Sequence, residues 1–184
     1  MEIEVIRSNR KTLALELHPN RLLVRAPMGA TEKDIRAFVQ ENQGWIEKNL
    51  AKMQAQQQAA ACVKRLTMEE IQQLADLALK IIPERVKYYA PLVGVSYSRI
   101  TIRNQRSKWG SCSSKGNLNF NCLLMLAPPE VLDSVIVHEL CHRKEMNHSP
   151  RFYAEVLRVF PDYHKWNNWL KTNGPLLMSR MTGE

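Results

Sequence analysis

The stretch that most constrains this chain is His138-Glu139-Leu140-Cys141-His142, followed six residues later by a third histidine, His148. Side chains four apart on an α-helix stand one above the other. A helix through this stretch therefore lets His138 and His142 offer imidazole nitrogens to one ion. Glu139 sits one residue along, where its carboxylate can polarise a bound water instead of joining the ligands. Two histidines and a glutamate also meet this pattern by chance, so the flanking residues decide whether it marks a site.

Upstream, Pro128-Pro129-Glu130 has the form of a helix start, with Glu130 and Asp133 as early acids and Val131, Leu132, Val135, Ile136 and Leu140 as apolar positions. Downstream, Asn147-His148-Ser149-Pro150 reads as a turn and then an N-cap with proline at the first helical position. The chain reverses there, which brings His148 to the mouth of the site. Three of the five histidines fall within these eleven residues; His18 and His164 read as ordinary surface or packing residues. Glu145 competes as a ligand, because it would share the helical face if the helix ran on, and zinc accepts a carboxylate. Asn147 and Ser149-Pro150 favour a helix that stops, and hence His148. The spacing also equals that of the metzincin pattern, but Glu145 stands where that pattern has glycine.

Further motifs surround this one. Trp109-Gly110-Ser111-Cys112-Ser113, Asn117-Leu118-Asn119-Phe120-Asn121 and Ala127-Pro128-Pro129 precede the histidines in order, and Arg143-Lys144-Glu145-Met146-Asn147-His148-Ser149-Pro150-Arg151-Phe152-Tyr153 comes after the second one. Together they resemble the YgjP-like metallopeptidase family and the related SprT-like and WLM zinc proteases, most strongly from Ile102 to Leu170. The resemblance implies an α+β fold with a zincin-like, minigluzincin-type metallopeptidase domain. It also implies three zinc ligands, His138, His142 and His148, and a catalytic glutamate, Glu139. Some members of the family are described as nucleotide pyrophosphohydrolases, so the resemblance speaks more firmly for the metal site than for the substrate.

Length and composition set outer limits. A chain of 184 residues, 45% of them hydrophobic, can bury a good core, which speaks against disorder. Lys and Arg total 26 against 18 acids, a net charge of +8 that suits anionic partners and equally suits a generically basic surface. No apolar leader comes after Met1 and no apolar run is long enough to span a bilayer, so the expected place is the cytoplasm, away from membranes. Cys62, Cys112, Cys122 and Cys141 lack C-x-x-C spacing, and reduced, mostly buried thiols are expected. Cys112 and Cys122 could approach across a hairpin. Cys141 lies between the helical histidines, yet a tetrahedral site served by three histidines keeps its fourth position for water.

Along the chain, Glu2 to Ser8, Thr12 to His18 and Arg21 to Ala26 alternate apolar with polar residues and predict an N-terminal antiparallel β meander. Thr31-x-x-Asp34 resembles a capping box opening one amphipathic helix through Ile35, Phe38, Val39, Trp45, Ile46 and Leu50. The Ala- and Gln-rich stretch from Met53 to Ala61 continues as a helical link. Thr67-x-x-Glu70 opens a second long helix, with Pro83 as a kink or a break. The expected division is 1–66, with meander, helix and link, and 67–184, the catalytic domain, packed as one compact unit. No internal repeat is evident in the sequence. Ile100–Ile102 and Leu118–Phe120 read as two strands that precede the histidine helix, with Ser113–Asn117 as the turn between them. Phe152, Val156, Leu157 and Phe160 face the core, while Trp166, Trp169 and Leu170 close the domain.

Arg99, Arg103, Arg106, Lys108 and Lys115 form a run without an acid just ahead of the histidine helix. Three function classes are then open. A peptidase would use zinc to polarise the carbonyl and Glu139 to move protons on a peptide or protein substrate, aligned by β-addition to the backbone from Trp109 to Ser111. The Trp109 ring itself reads better as core. A nucleotide phosphohydrolase would hold phosphates with Arg103, Arg106 and Lys108. A nucleic-acid-associated factor would use the same cations on a phosphate backbone. No nucleic-acid motif, P-loop or carboxylate-rich magnesium site is present in the sequence, which places the peptidase first.

Overall fold

The computed structural model describes residues 2–18, 20–61, 63–105 and 107–181. It divides into two compact units, Met1–Cys62 and Val63–Glu184.

The first unit is a three-stranded sheet and two helices: β1 (Glu2–Ser8), β2 (Ala14–Leu17), β3 (Arg21–Pro27), α1 (Glu32–Glu41) and α2 (Gln43–Ala61). The three strands lie where alternation predicts them, but they do not form an antiparallel meander. The order is β1-β3-β2, with β1 parallel to β3 and β2 antiparallel to it. Composition explains the exchange. β3 contributes buried Leu22, Leu23, Val24 and Ala26 and takes the centre, whereas β1, with Glu2 and Glu4 and almost wholly exposed, suits an edge.

The predicted single amphipathic helix is also two. The Thr31–Asp34 capping box opens α1, and Asn42 closes it by donating from its backbone N–H and its Nδ2 to the Phe38 carbonyl at 3.2 and 2.8 Å. The Ala- and Gln-rich stretch continues as α2 through Ala61. Ile35 of α1 and Ile46 of α2 cover Leu22, Val24 and Ala26 of the sheet.

The second unit opens with α3 (Met68–Val93), begun by the Thr67–Glu70 capping box and running on through Pro83 and Pro91 to Gly94 at φ 80°. A second sheet comes next: β4 (Arg99–Arg103), β5 (Gly110–Cys112) and β6 (Asn117–Asn121), ordered β4-β6-β5. Its first strand is parallel to its third and its second antiparallel, as in the first unit. The turn between β5 and β6 is closed by the Gly116 N–H donating to the Ser113 carbonyl at 2.8 Å, with Gly116 at φ 79°. A short 3-10 helix (Cys122–Leu126), α4 (Pro129–Cys141), α5 (Pro150–Val159) and α6 (Tyr163–Ser179) complete the unit. No helix among the described residues is long and apolar enough to cross a membrane.

The core of this unit is built around α4. Val131, Ile136, Val137 and Leu140 are fully buried against Ile82 and Val86 of α3, Leu118 and Phe120 of β6, and Phe152 of α5. One polar knot crosses it. The Arg85 guanidinium grips buried Asp133 through both carboxylate oxygens, and the Tyr89 hydroxyl donates to Asp133 Oδ2 at 3.1 Å. This ties α3 to the first turns of α4. Replacing Arg85 by Met would leave a buried carboxylate without its cation, a change that costs about 3–5 kcal/mol when both partners are buried. Because Arg85 is 41% exposed, we expect a loss of about 2 kcal/mol in urea unfolding. Tyr89→Phe should cost about 1 kcal/mol. An Arg85→Met protein as stable as wild type would show that the pair does not hold α3 on α4.

Candidate metal centre

The apolar positions of α4 are spread around its whole circumference, so nearly every residue from Val131 to Cys141 is buried. His138, Glu139 and His142 come at its C-terminal end, where the backbone turns away at His142. The segment between α4 and α5 is pinned at several points. Arg143 donates to the Ser96 and Ser114 carbonyls at 3.1 and 2.7 Å, and Lys144 pairs with Glu155 of α5 at 2.8 Å. Ser149 then caps α5, accepting from the Phe152 N–H at 3.2 Å. His148 is thereby brought back onto the end of α4. Its Nε2 lies 3.0 Å from that of His138, which lies 3.2 Å from that of His142. The ring of buried Phe152 sits against all three imidazoles, with centroids 4.6 to 4.9 Å apart.

The groups behind the rings set the tautomers. His142 Nδ1 faces the Glu145 carbonyl at 3.0 Å; a carbonyl only accepts, so this nitrogen carries the proton and Nε2 carries a lone pair. His138 Nδ1 lies 2.8 Å from the Tyr163 hydroxyl, a partner that can hold the same tautomer. Burial and the neighbouring imidazoles hold the His138 pKa down to about 3, and burial lowers that of His142. Neutral imidazoles with lone pairs facing one another repel unless a cation lies among them. The donor set thus fits a divalent metal ion, since the ligand nitrogens all lie within 4.8 Å of one another. Among the described residues this is the one such group of three or more. Glu145 contributes its backbone to His142 and is not part of the cluster. Cys141, fully buried with its thiol pushed up to about 12 by burial, is not part of it either. Cys112, Cys122 and Cys141 are all free; Cys62 lies outside the described residues.

Glu139 is 6% exposed, and burial pushes its carboxyl up to about 8, with the Lys108 charge pulling the other way. It lies against β5. A Cβ built on Gly110 would stand 2.7 Å from both Cγ and Oε1 of Glu139, so the carboxylate occupies the space where any other residue would carry a side chain. A cleft of about 260 Å³ opens beside His138 and Glu139, walled by Lys108 and Trp109, by Val135 of α4, and by Tyr163, Asn167 and Leu170 of α6. A larger cavity, about 690 Å³, belongs to the first unit and is lined by β1 and α1.

The other residues singled out from the sequence are dispersed. Trp109 is both core and cleft wall, its indole packed onto Gly174 of α6. The Ser111 hydroxyl accepts from the Asn119 side-chain amide at 3.1 Å, and Arg103, on the far side of β6 from β5, donates to the oxygen of that amide at 3.1 Å. Neither lines the cleft. Arg106 lies outside the described residues. Tyr163, Asn167 and the role of Phe152 beneath the imidazoles were not legible, because nothing in their spacing relates them to the histidines.

Among known proteins, the model of a family described as YgjP-like, metallopeptidase domain, matches residues 11–72 and 64–173. No curated protein matches the chain. The crystal structure of the metallopeptidase zymogen of Pyrococcus abyssi abylysin is 21% identical with a TM-score of 0.47, covering 50% of this chain and 94% of that one. That of Methanocaldococcus jannaschii jannalysin is 23% identical with a TM-score of 0.45, covering 50% and 95%.

Partners standing behind metal-binding imidazoles typically change metal affinity by about 10- to 100-fold when removed. Tyr163→Phe should accordingly weaken metal binding about tenfold in a competition titration with a chelator. His138→Ala, His142→Ala and His148→Ala should each lose the metal after dialysis, whereas Glu145→Ala should keep it, since only its backbone is engaged. Metal retained in His148→Ala and lost in Glu145→Ala would reverse the ligand assignment.

Proposed function

This chain belongs to the YgjP-like metallopeptidase domain family, and we propose that it is a zinc-dependent peptidase with His138, His142 and His148 as ligands and Glu139 as general base. The observation that carries this reading is the convergence of three imidazoles beside the buried carboxyl group of Glu139. An all-imidazole donor set supports zinc among divalent ions, with the ligand count of a catalytic site that keeps one position open. When bound, such an ion polarises a carbonyl and makes water a better nucleophile.

The residues of the chain do the rest. Glu139 takes the proton of the attacking water and returns it to the leaving amine; its burial raises its basicity toward the working pH, as a base at neutral pH requires. Gly110 leaves room for that carboxylate and holds it on the β5 side. β5 has β6 as its one partner among the described residues, so its outer edge is the place for an extended peptide to add as a further strand. Tyr163 holds the His138 ring, and Phe152 keeps water from the underside of the imidazoles. The catalytic domain is assigned to residues 67–184, and the site of action to the cytoplasm, where free thiols persist.

The cations considered for phosphate binding are not gathered: of Arg103 and Lys108, only Lys108 reaches the cleft. Metal-replete enzyme should therefore cleave an unfolded protein and leave nucleoside triphosphates intact. Hydrolysis of triphosphates without peptide cleavage would replace this reading with a phosphohydrolase.

Two substitutions separate chemistry from binding. Glu139→Gln should keep its metal while turnover falls by about 10²-fold or more, the usual scale for a lost general base. Gly110→Ala should also keep the metal, with kcat reduced by about 10²-fold as the carboxylate is displaced. Near-normal kcat in Glu139→Gln would remove this residue from the mechanism.

A further inference from the structure

Among the described residues, Lys108 is the one lysine or arginine lining the cleft beside His138 and Glu139. Its position is built rather than incidental. Asn121, 1% exposed, donates from Nδ2 to the carbonyls of Gln105 and Lys108 at 2.7 and 3.0 Å. The same residue's backbone N–H donates to the Trp109 carbonyl at 2.9 Å, and its Oδ1 accepts from the Leu123 N–H at 3.0 Å. A buried amide with its partners satisfied thus holds the backbone at Gln105 and at Lys108, beside the cleft. The ammonium itself has no carboxylate within ion-pair distance among the described residues, Glu139 included.

The rest of the wall says what this cation is for. Trp109, Val135 and Leu170 supply apolar surface, and Asn167 and Tyr163 complete the wall from α6. Apolar walls with one cation suit a group that has an aliphatic stem and an anionic end. The cleft volume of about 260 Å³ is smaller than the roughly 300 Å³ at which sites for drug-sized ligands begin, so it suits one residue better than a nucleotide.

We propose that this cleft is a substrate subsite for a peptide carboxylate, held by Lys108 next to the scissile bond. The proposal rests on the peptidase reading above. The carboxylate can come from an acidic side chain or from the C-terminus of the substrate, and the two sources are separable.

The test uses internally quenched peptides that differ only in carrying Glu, Gln or Lys at each position flanking the cleaved bond, with amidated or free C-termini. The readout is the ratio of kcat/KM between them, with metal content and thermal stability measured in parallel. Wild type should prefer a carboxylate by about fivefold, the scale of a partly exposed ion pair. The ratio should fall to about one in Lys108→Gln and reverse in favour of the Lys peptide in Lys108→Glu, a reversal that a structural role for Lys108 would not produce. A preference for Glu in amidated peptides assigns the subsite to a side chain; a preference for free over amidated ends assigns it to the C-terminus. A wild-type enzyme that cleaves Glu, Gln and Lys peptides alike, at either end-group, overturns the subsite and leaves the peptidase reading standing. The same carboxylate preference in Lys108→Gln overturns it also. Cleavage of no peptide at all overturns both.

Discussion

The candidate site depends on holding the buried carboxyl group of Glu139 beside His138 and His142, with His148 closing the cluster from its exposed side. Removing polar groups from water is costly unless each finds a partner, and the cost for an ionised carboxylate is larger still. The chain meets it by choosing the neutral forms. The Glu145 carbonyl and the Tyr163 hydroxyl stand behind His142 and His138, and burial disfavours the charged forms of both rings. With both rings in this tautomer, the Nε2 lone pairs of His138 and His142 face each other at 3.2 Å and repel. A metal ion resolves that repulsion, and the local fold is therefore arranged for a group it does not itself supply.

This arrangement puts unusual demands on α4. A helix that offers ligands to a cleft is usually amphipathic, yet α4 is buried around almost its whole circumference, with α3, β6, α5 and α6 all contributing to the same core. The polar knot of Arg85, Asp133 and Tyr89 fixes its beginning, and the Arg143 and Lys144 contacts fix the segment leading from its end to α5. Rigidity at both ends is what lets that short segment return His148 to within 3.0 Å of His138.

The local signals in the sequence were legible because they depend on neighbours in the chain. Both capping boxes, the proline start of α4 and the Ser149-Pro150 start of α5 all form as their residues indicate. The halt of α4 before His148 was legible on the same ground, since the cap at Ser149 is a local event. Strand partnership was not legible. Alternation in β1, β2 and β3 gives their faces and says nothing of their order, which the burial of Leu22, Val24 and Ala26 settled in favour of β3 at the centre. In the second sheet the strands through Ile100–Ile102 and Leu118–Phe120 were legible but their pairing was not: the Ser113–Asn117 turn joins β6 to the short β5, β4 lies parallel to β6, and the two sheets share one connectivity without any repeat in the sequence. Tyr163, Asn167 and Asn121 act across long sequence separations, and only the fold relates them to the histidines.

The Trp109-Gly110 pair shows how a motif can be specific before its purpose is known. Trp109 presses its indole onto Gly174, where a Cβ would come within 3.2 Å of the ring, and so draws α6 against the segment preceding β5. Gly110, the next residue, admits the Glu139 carboxylate from α4 on the other side. One large and one absent side chain in succession thus set the separation of α4, β5 and α6, the three walls of the cleft. Enlarging Gly110 or shrinking Trp109 acts on the same distance from opposite directions. The residue pair is consequently a spacer for the cleft.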